Sequence, residues 1–309
     1  MSVLTVTLNP AIDKLYTILG FQPGGVYRPT ETRVYAGGKG INVARVFQAL
    51  GGAVTATGFL GGGNGEYIRQ SLGKESLPEA FVSIAQDSRV CTMILDPERH
   101  TETVLNEIGP RVSLAECESL ISHLRELLPA SKAVVLSGSL PPGAPAGLYA
   151  DIICLAQDEF GVPAMLDASN DALQFGALAK PFLLKPNVHE LTALSVEGDG
   201  WAGSASALRT RYGVPLALVT GGSRGAVLAS ADGIWEASPP VIDLVSTVGS
   251  GDSLTAAFVW AWEQNYSLPE ALKLGVAAGA ANATAYGSGF CTRSQIFELA
   301  AQTRVNKLD

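Results

Sequence analysis

Only three histidines and four cysteines occur in 309 residues, and neither set is arranged for metal binding or cross-linking. Cys91, Cys117, Cys154 and Cys291 lie far apart with no CxxC or Cys/His spacing, which excludes a zinc or disulfide framework and suits a reducing cytosol. His100, His123 and His189 have no partner pattern and read as surface or structural residues. There is no basic block either, because 21 Lys and Arg stand against 29 Asp and Glu, for a formal charge of −8. Nucleic acid finds no electrostatic footprint here, so an anionic substrate must be met by a local cluster. No apolar run reaches membrane length. The greasiest, Leu254–Trp262, is too short to cross a bilayer and directly follows Asp252 and Ser253, so it is expected to be a core helix, with no membrane partner. Met1–Asn9 lacks the basic and apolar regions of a secretory leader and reads as a first strand, so a cytoplasmic place is expected.

A hydrophobic fraction of 47% does supply a full α/β core. From about Ala133 onward, the apolar runs Ala133–Leu136, Ala164–Leu166, Phe182–Leu184 and Leu216–Val219 alternate with helical patterns such as Leu148–Ala156 and Ala205–Tyr212. That is a βαβ rhythm. Strands apolar throughout are covered on both faces, so the sheet is expected to be largely parallel between helical layers. The first third differs, since Ile12–Leu19, Arg33–Ala36, Val90–Asp96 and Glu102–Asn106 read as strands without a helix between each neighbouring pair. They are expected to form a small second sheet, inserted in two pieces at about 11–36 and 88–108, acting as a lid over the carboxyl ends of the main strands. No repeat, low-complexity tract or linker divides residues 1–309, so one domain is expected.

Chemistry concentrates in glycine-rich turns. Val248-Gly249-Ser250-Gly251-Asp252 lies between the apolar run Val241–Val245 and the helix Ser253–Trp262, where freed amides and a helix dipole suit an anion. Asp252 can there take a proton from an attacking hydroxyl while the amides of Gly249, Ser250 and Gly251 neutralise a transferring phosphoryl group; alternatively it caps a helix. Gly37-Gly38-Lys39-Gly40-Ile41-Asn42 is no Walker loop, because Gly40 follows the lysine where Ser or Thr is needed. Its amides and Asn42 can meet sugar hydroxyls and Lys39 a phosphate, or it is a plain glycine turn. Asp13, after the first strand, can bridge two vicinal hydroxyls or be an ordinary turn aspartate. Asn187 and Glu190, three apart after Lys185-Pro186, fit either the water shell of a magnesium ion or a capping box. Thr220-Gly221-Gly222-Ser223-Arg224-Gly225 can wrap phosphates or turn a hairpin. Gly61-Gly62-Gly63-Asn64-Gly65 lacks the dinucleotide order, which disfavours a nicotinamide oxidoreductase.

In this order Asp13, GGKGIN at 37–42, SGSLPPG at 137–143, KPNxxE at 185–190, TGG at 220–222 and VGSGDS at 248–253 resemble the ribokinase-like, or phosphofructokinase B, family across essentially the whole chain. TLNPAID at 7–13, INVAR at 41–45 and SGSLPPG resemble its hexose-phosphate branch, that of 1-phosphofructokinase and tagatose-6-phosphate kinase. The resemblance implies a Rossmann-like three-layer core with a β-sheet lid that often serves as a dimer interface, and ATP-dependent, magnesium-requiring phosphorylation of a hexose phosphate. By the same resemblance Asp252 is the base and Gly249, Ser250 and Gly251 form the anion hole. Asp13, Gly38 and Asn42 hold the sugar, and Lys39, Arg89 and Ser137 face its phosphate. Lys185, Asn187, Glu190, Thr220 and Gly222 fall on the nucleotide and magnesium side, with Asn282 near the adenine. The sequence departs from the branch where Cys91 and Met93 replace an asparagine and a basic residue, and where Ser246 and Thr247 replace Asp-Thr or Asn-Pro. The first departure favours a kinase of an unphosphorylated sugar or nucleoside as the alternative. A sugar-sensing module without catalysis is a further alternative, although it has no need to keep Asp252, Glu190 and the glycines together.

Overall fold

Short runs of Val, Leu, Ile and Ala with no polar alternation become strands buried on both faces. In the computed structural model, which describes residues 1–308, these strands build one ten-stranded sheet, and the alternating segments of the first third build a separate four-stranded one. The strands in chain order are β1 (Ser2–Thr7), β2 (Ala11–Thr17), β3 (Glu31–Gly37), β4 (Val54–Gly61), β5 (Val82–Ile84), β6 (Arg89–Asp96) and β7 (Thr101–Asn106). They continue as β8 (Ser131–Gly138), β9 (Ala164–Ala168), β10 (Leu183–Leu184), β11 (Leu216–Thr220), β12 (Ala226–Ala229), β13 (Ile234–Ser238) and β14 (Arg304–Lys307).

The large sheet runs β14-β13-β12-β11-β10-β9-β8-β1-β4-β5. From β5 to β11 every pairing is parallel, and from β11 to β14 every pairing is antiparallel. Neighbouring residues of one strand feed opposite cores: Val135 packs with Val3 and Met165 beneath the helices Lys39–Ala49 and Ser250–Glu263, whereas Val134 and Leu136 pack with Leu4, Leu166 and Tyr149 on the other face. That period of two makes the three layers.

Two features lie outside the sequence reading. Beyond the hairpin alternative at 220–225, the antiparallel edge β12–β14 is absent from the sequence reading, because β12 is an apolar run of only four residues and β13 and β14 are largely half-buried or exposed. The run Val241–Val245 forms no strand: Val241 and Leu244 are exposed, and their side chains line a cavity instead of a core.

The small sheet runs β3-β2-β6-β7, with β2 and β6 parallel and the outer pairings antiparallel. Its inner face carries a small apolar cluster of Leu15, Tyr35, Met93 and Leu95, against which Val248 and Tyr286 of the main body pack. Among the described residues no helix is long and apolar enough to cross a membrane.

Candidate active site

A parallel sheet gathers its loops and helix N-termini at the carboxyl ends of its strands. Two cavities of about 660 and about 600 Å³ open there, and Lys39 and Gly251 line both. The helix Ser250–Glu263 begins at their junction. Gly249 precedes it with φ 82°, a left-handed conformation that glycine adopts without strain, and a Cβ there would stand 2.6 Å from that of Ser288. The first intrahelical bond runs from Ser253 N to Gly249 O (2.9 Å), so the amides of Gly251 and Asp252 lie ahead of it, at the positive end of the dipole.

Asp252 is buried and lines the first cavity. Its Oδ2 accepts from Asn42 Nδ2 at 2.8 Å. Burial pushes its carboxyl above the usual range, Lys39 pulls it back and Asp167 pushes it up again. The orientation of Asn42 comes from a residue the sequence reading passed over. Arg45, 6% exposed, donates from Nη1 to Asn42 Oδ1 (3.2 Å) and Ser288 O (3.0 Å), and from Nη2 to Ala36 O (2.8 Å). Glu75 holds the same guanidinium through Nε at 2.7 Å and Nη2 at 3.1 Å. In sequence Arg45 is one polar position on an amphipathic helix, and only its partners distinguish it from a solvated arginine.

Asp13 reaches the same cavity from β2. Gly37 faces it so closely that a Cβ would lie 2.1 Å from Oδ2. Burial raises the Asp13 carboxyl to about 7 against the pull of Arg45 and Arg89, with Asp252 adding to the rise. Gly38, Asn42, Arg89 and Ser137 line this cavity too. Arg89 donates from Nε to Asn9 O (3.1 Å) and from Nη1 to Glu107 O (2.8 Å). Thr7 Oγ1, Asn9 Oδ1 and Ser137 Oγ are buried without a hydrogen-bond partner, all in residues lining this cavity. Buried polar atoms are rarely left so, and the three mark a place for a hydroxylated ligand.

Asp167 is a second residue missed in sequence. It is the penultimate residue of the apolar strand β9, is 1% exposed, and accepts from Lys39 Nζ on Oδ1 and Lys185 Nζ on Oδ2, each at 3.0 Å. An acid closing an otherwise apolar parallel strand was the signal available. Burial alone would raise its carboxyl, but Lys185 and Lys39 outweigh that and hold it below the ordinary range. Burial likewise opposes the charge of Lys39, yet Asp167 and Asp252 hold its ammonium above the usual value. Lys39 therefore stands at the junction of the cavities, and in the first of them it shares the lining with Arg89, its partner in the sequence reading.

Lys185, Asn187, Thr220, Gly222 and Ser250 line the second cavity, closed on the other side by apolar residues including Pro240, Leu244 and Val276. The segment Gly222–Arg224 turns a hairpin between β11 and β12 while facing this space. Asn187 Oδ1 accepts from His189 N (2.9 Å) and Glu190 N (3.0 Å), and Glu190 Oε2 accepts from Asn187 N (2.8 Å), the reciprocal pattern of a capping box. Glu190 lines neither cavity. Asn282 corrects the sequence reading. It is wholly buried, its Nδ2 donates to Val248 O (2.8 Å), its Oδ1 accepts from Gly289 N (2.7 Å), and it does not line the second cavity. Its amide fastens the glycine turn rather than a base.

A proton-accepting carboxylate and unpaired amides thus meet between a polar cavity and a partly apolar one, an arrangement suited to passing an anionic group to a hydroxyl. Comparison with known proteins agrees. The description of pfkB family carbohydrate kinases matches residues 6–295. The chain is 34% identical to a tagatose-6-phosphate kinase of Staphylococcus epidermidis, covering 98% of this chain and 99% of that protein. It is 33% identical to a 1-phosphofructokinase of Bacillus subtilis, over 99% and 100% respectively. Phosphofructokinase-2 of Escherichia coli, solved with substrates and products, superposes with a TM-score of 0.88 at 29% identity, over 98% of this chain and 99% of that one. With the match running from the first strand to the last helix, the chain belongs to the pfkB family of carbohydrate kinases.

Proposed function

We propose that this kinase transfers the γ-phosphoryl group of ATP to a hydroxyl of a hexose phosphate, giving a sugar bisphosphate and ADP. The observation that carries the reading is Asp252, held by Asn42 in the first turn of the helix Ser250–Glu263, whose N-terminus borders both cavities. The attacking hydroxyl gives its proton to Asp252 as its oxygen bonds to the γ-phosphorus. The bond to the bridging oxygen breaks, and ADP leaves with the electron pair. Because Asn42 occupies Oδ2, the other carboxylate oxygen is the one to receive the proton. The amides of Gly249 and Gly251 and the ammonium of Lys39 balance the charge spread over the transferring group, whereas the Ser250 amide donates to Thr247 O (3.3 Å) and would have to leave it to join them. Asp13 with Asn9, Thr7 and Ser137 holds the sugar hydroxyls, and Arg89 meets the sugar's phosphate. The adenine lies in the apolar slot of Pro240, Leu244 and Val276, with its phosphates along Thr220–Gly222 and Lys185.

The donor set fits a hydrated magnesium ion better than a protein cage, since among the described residues no three acidic, cysteine or histidine side chains cluster as ligands. Asn187 and Glu190 would hold its waters, and the ion would supply positive charge to the nucleotide phosphates. Replacing Glu190 by Gln is expected to raise the magnesium concentration for half-maximal activity several-fold, on the order of the tenfold that one charged contact contributes. A magnesium titration that is the same for both proteins would leave Glu190 with its capping role alone.

The small sheet acts as the lid, excluding water from the transfer. Val34 and Leu105 are exposed on it and suit a homodimer formed through the lid. Four free cysteines agree with a cytoplasmic place. A second reading, an unphosphorylated sugar or nucleoside as substrate, is favoured by Cys91 and Met93, which line the sugar cavity where a further cation would strengthen a phosphate site. ATP consumption across fructose 1-phosphate, fructose 6-phosphate, tagatose 6-phosphate, ribose and adenosine separates the two readings. Replacing Arg89 by Ala is expected to raise KM for the hexose phosphate roughly 10- to 100-fold, the worth of one charge-assisted contact, with KM for ATP barely moved. An unchanged sugar-phosphate KM, or a wild-type preference for the unphosphorylated sugar, would reject the phosphate site.

A further inference from the structure

One hydrogen bond crosses from the small sheet to the turn that carries the anion hole. Ser246 Oγ donates to Glu102 Oε1 on β7 at 3.0 Å, and the same Oγ accepts from Val248 N at 3.3 Å. A carboxylate only accepts, so Glu102 fixes the direction of the Ser246 proton and turns a lone pair toward the Val248 amide. Ser246 is 3% exposed, and its own backbone N donates to Ala283 O at 3.3 Å. Val248 is gripped a second time by the lid, its side chain packing against Leu15, Tyr35, Met93 and Leu95. Its carbonyl accepts from Asn282 on the other side. The residues just before Gly249 are therefore held by the lid at two points and by the main body behind. Beside them Arg33 of the lid lies over the Tyr286 ring at 4.8 Å.

We propose that Glu102 is a positioning residue through which docking of the lid orders the turn that presents the Gly249–Gly251 amides and Asp252. It acts only through Ser246. Phosphoryl transfer is thereby tied to a closed lid, because the amides are fully aligned only when the small sheet is seated. The inference rests on the phosphotransfer reading given above, and its test separates the two.

Glu102→Ala, Ser246→Ala, the double variant and Glu102→Gln are compared with the wild type in two measurements. In steady-state kinetics with ATP and the best hexose phosphate, each alanine variant is expected to lose roughly tenfold in kcat, the low end for a hydrogen bond to a charged group. KM for ATP should stay within about twofold, since the nucleotide cavity is untouched. The double variant should lose no more than either single one. Glu102→Gln, whose amide oxygen still accepts from Ser246, should recover most of the rate and keeps the fold testable should an alanine variant unfold. In amide hydrogen exchange of the ligand-free protein, Val248 should exchange faster in both alanine variants than in the wild type or Glu102→Gln. A wild-type kcat in Glu102→Ala, additive losses in the double variant, or unaltered exchange at Val248 overturns the proposal. Should the wild type phosphorylate no hexose phosphate, the functional reading fails while exchange at Val248 still decides the contact.

Discussion

Replacing Asp252 by Asn is expected to lower kcat about 100-fold or more while ATP still binds and the fold persists. The amide is nearly the shape of the carboxylate and can still accept from Asn42, so the change removes the proton acceptor and little else. If Asp252 served only as a helix cap, the same variant would lose roughly 1 kcal/mol of stability and turn over normally, which thermal melts beside initial rates would reveal. The wild type adds a second signature. Burial raises the Asp252 carboxyl, so the base becomes protonated, and kcat falls on acidification, at a pH above the ordinary carboxylate range. The asparagine variant loses that group but keeps Asp13, whose carboxyl burial raises to about 7 in the same cavity. The acid limb of its residual rate should therefore differ from that of the wild type, and an identical limb would assign it to Asp13 rather than to Asp252.

The largest loss of stability is expected at Asp167. Changing it to Ala leaves the ammonium of Lys185, whose side chain is 4% exposed, without its counter-charge. Breaking a buried pair in this way costs about 3–5 kcal/mol, far more than the pair adds over an apolar substitute of similar size. A second change, Lys185→Met, should therefore restore part of the melting temperature. The pH dependence has a definite sign. Lys185 and Lys39 depress the Asp167 carboxyl, so its contribution is present above the unfolded-state value and is lost as pH falls through the lower folded-state one. The stability gap between wild type and Asp167→Ala should accordingly be wide at neutral pH and narrow toward acid. A gap constant with pH would remove the charge pairing from the explanation. Activity should fall as well, since Lys39 loses the anchor that holds it between the cavities.

Much of the site was readable without coordinates. Asn42, Thr220 and the Gly249–Asp252 turn sit at strand ends or helix starts, and in a parallel sheet those points converge on one edge whatever the details of packing, whereas Asp13 joins them from within β2 of the small sheet. Their glycines and short polar residues also carry local signatures, because a turn that frees amides is a property of a few consecutive residues. The small-sheet strands were legible as neighbouring strands with no helix between each pair, and the covered main sheet by its uniformly apolar runs.

Other residues owe their roles to partners remote in the chain. Arg45 meets Glu75 at 30 residues' separation, Asp167 meets Lys39 at 128, and Glu102 meets Ser246 at 144. Asn42 was assigned to a sugar hydroxyl, yet its amide holds Asp252 at a separation of 210. Asn282 was placed near a base, and its amide closes a turn instead. Local sequence dictates backbone conformation and which face is apolar, because sterics and spacing act over a few residues. Which polar side chains pair, and so which are free to act on a ligand, is set by the order of strands in the large sheet and the packing of the small sheet against it. Burial then enforces that choice, since a polar group withdrawn from water must find a partner wherever the fold has brought one.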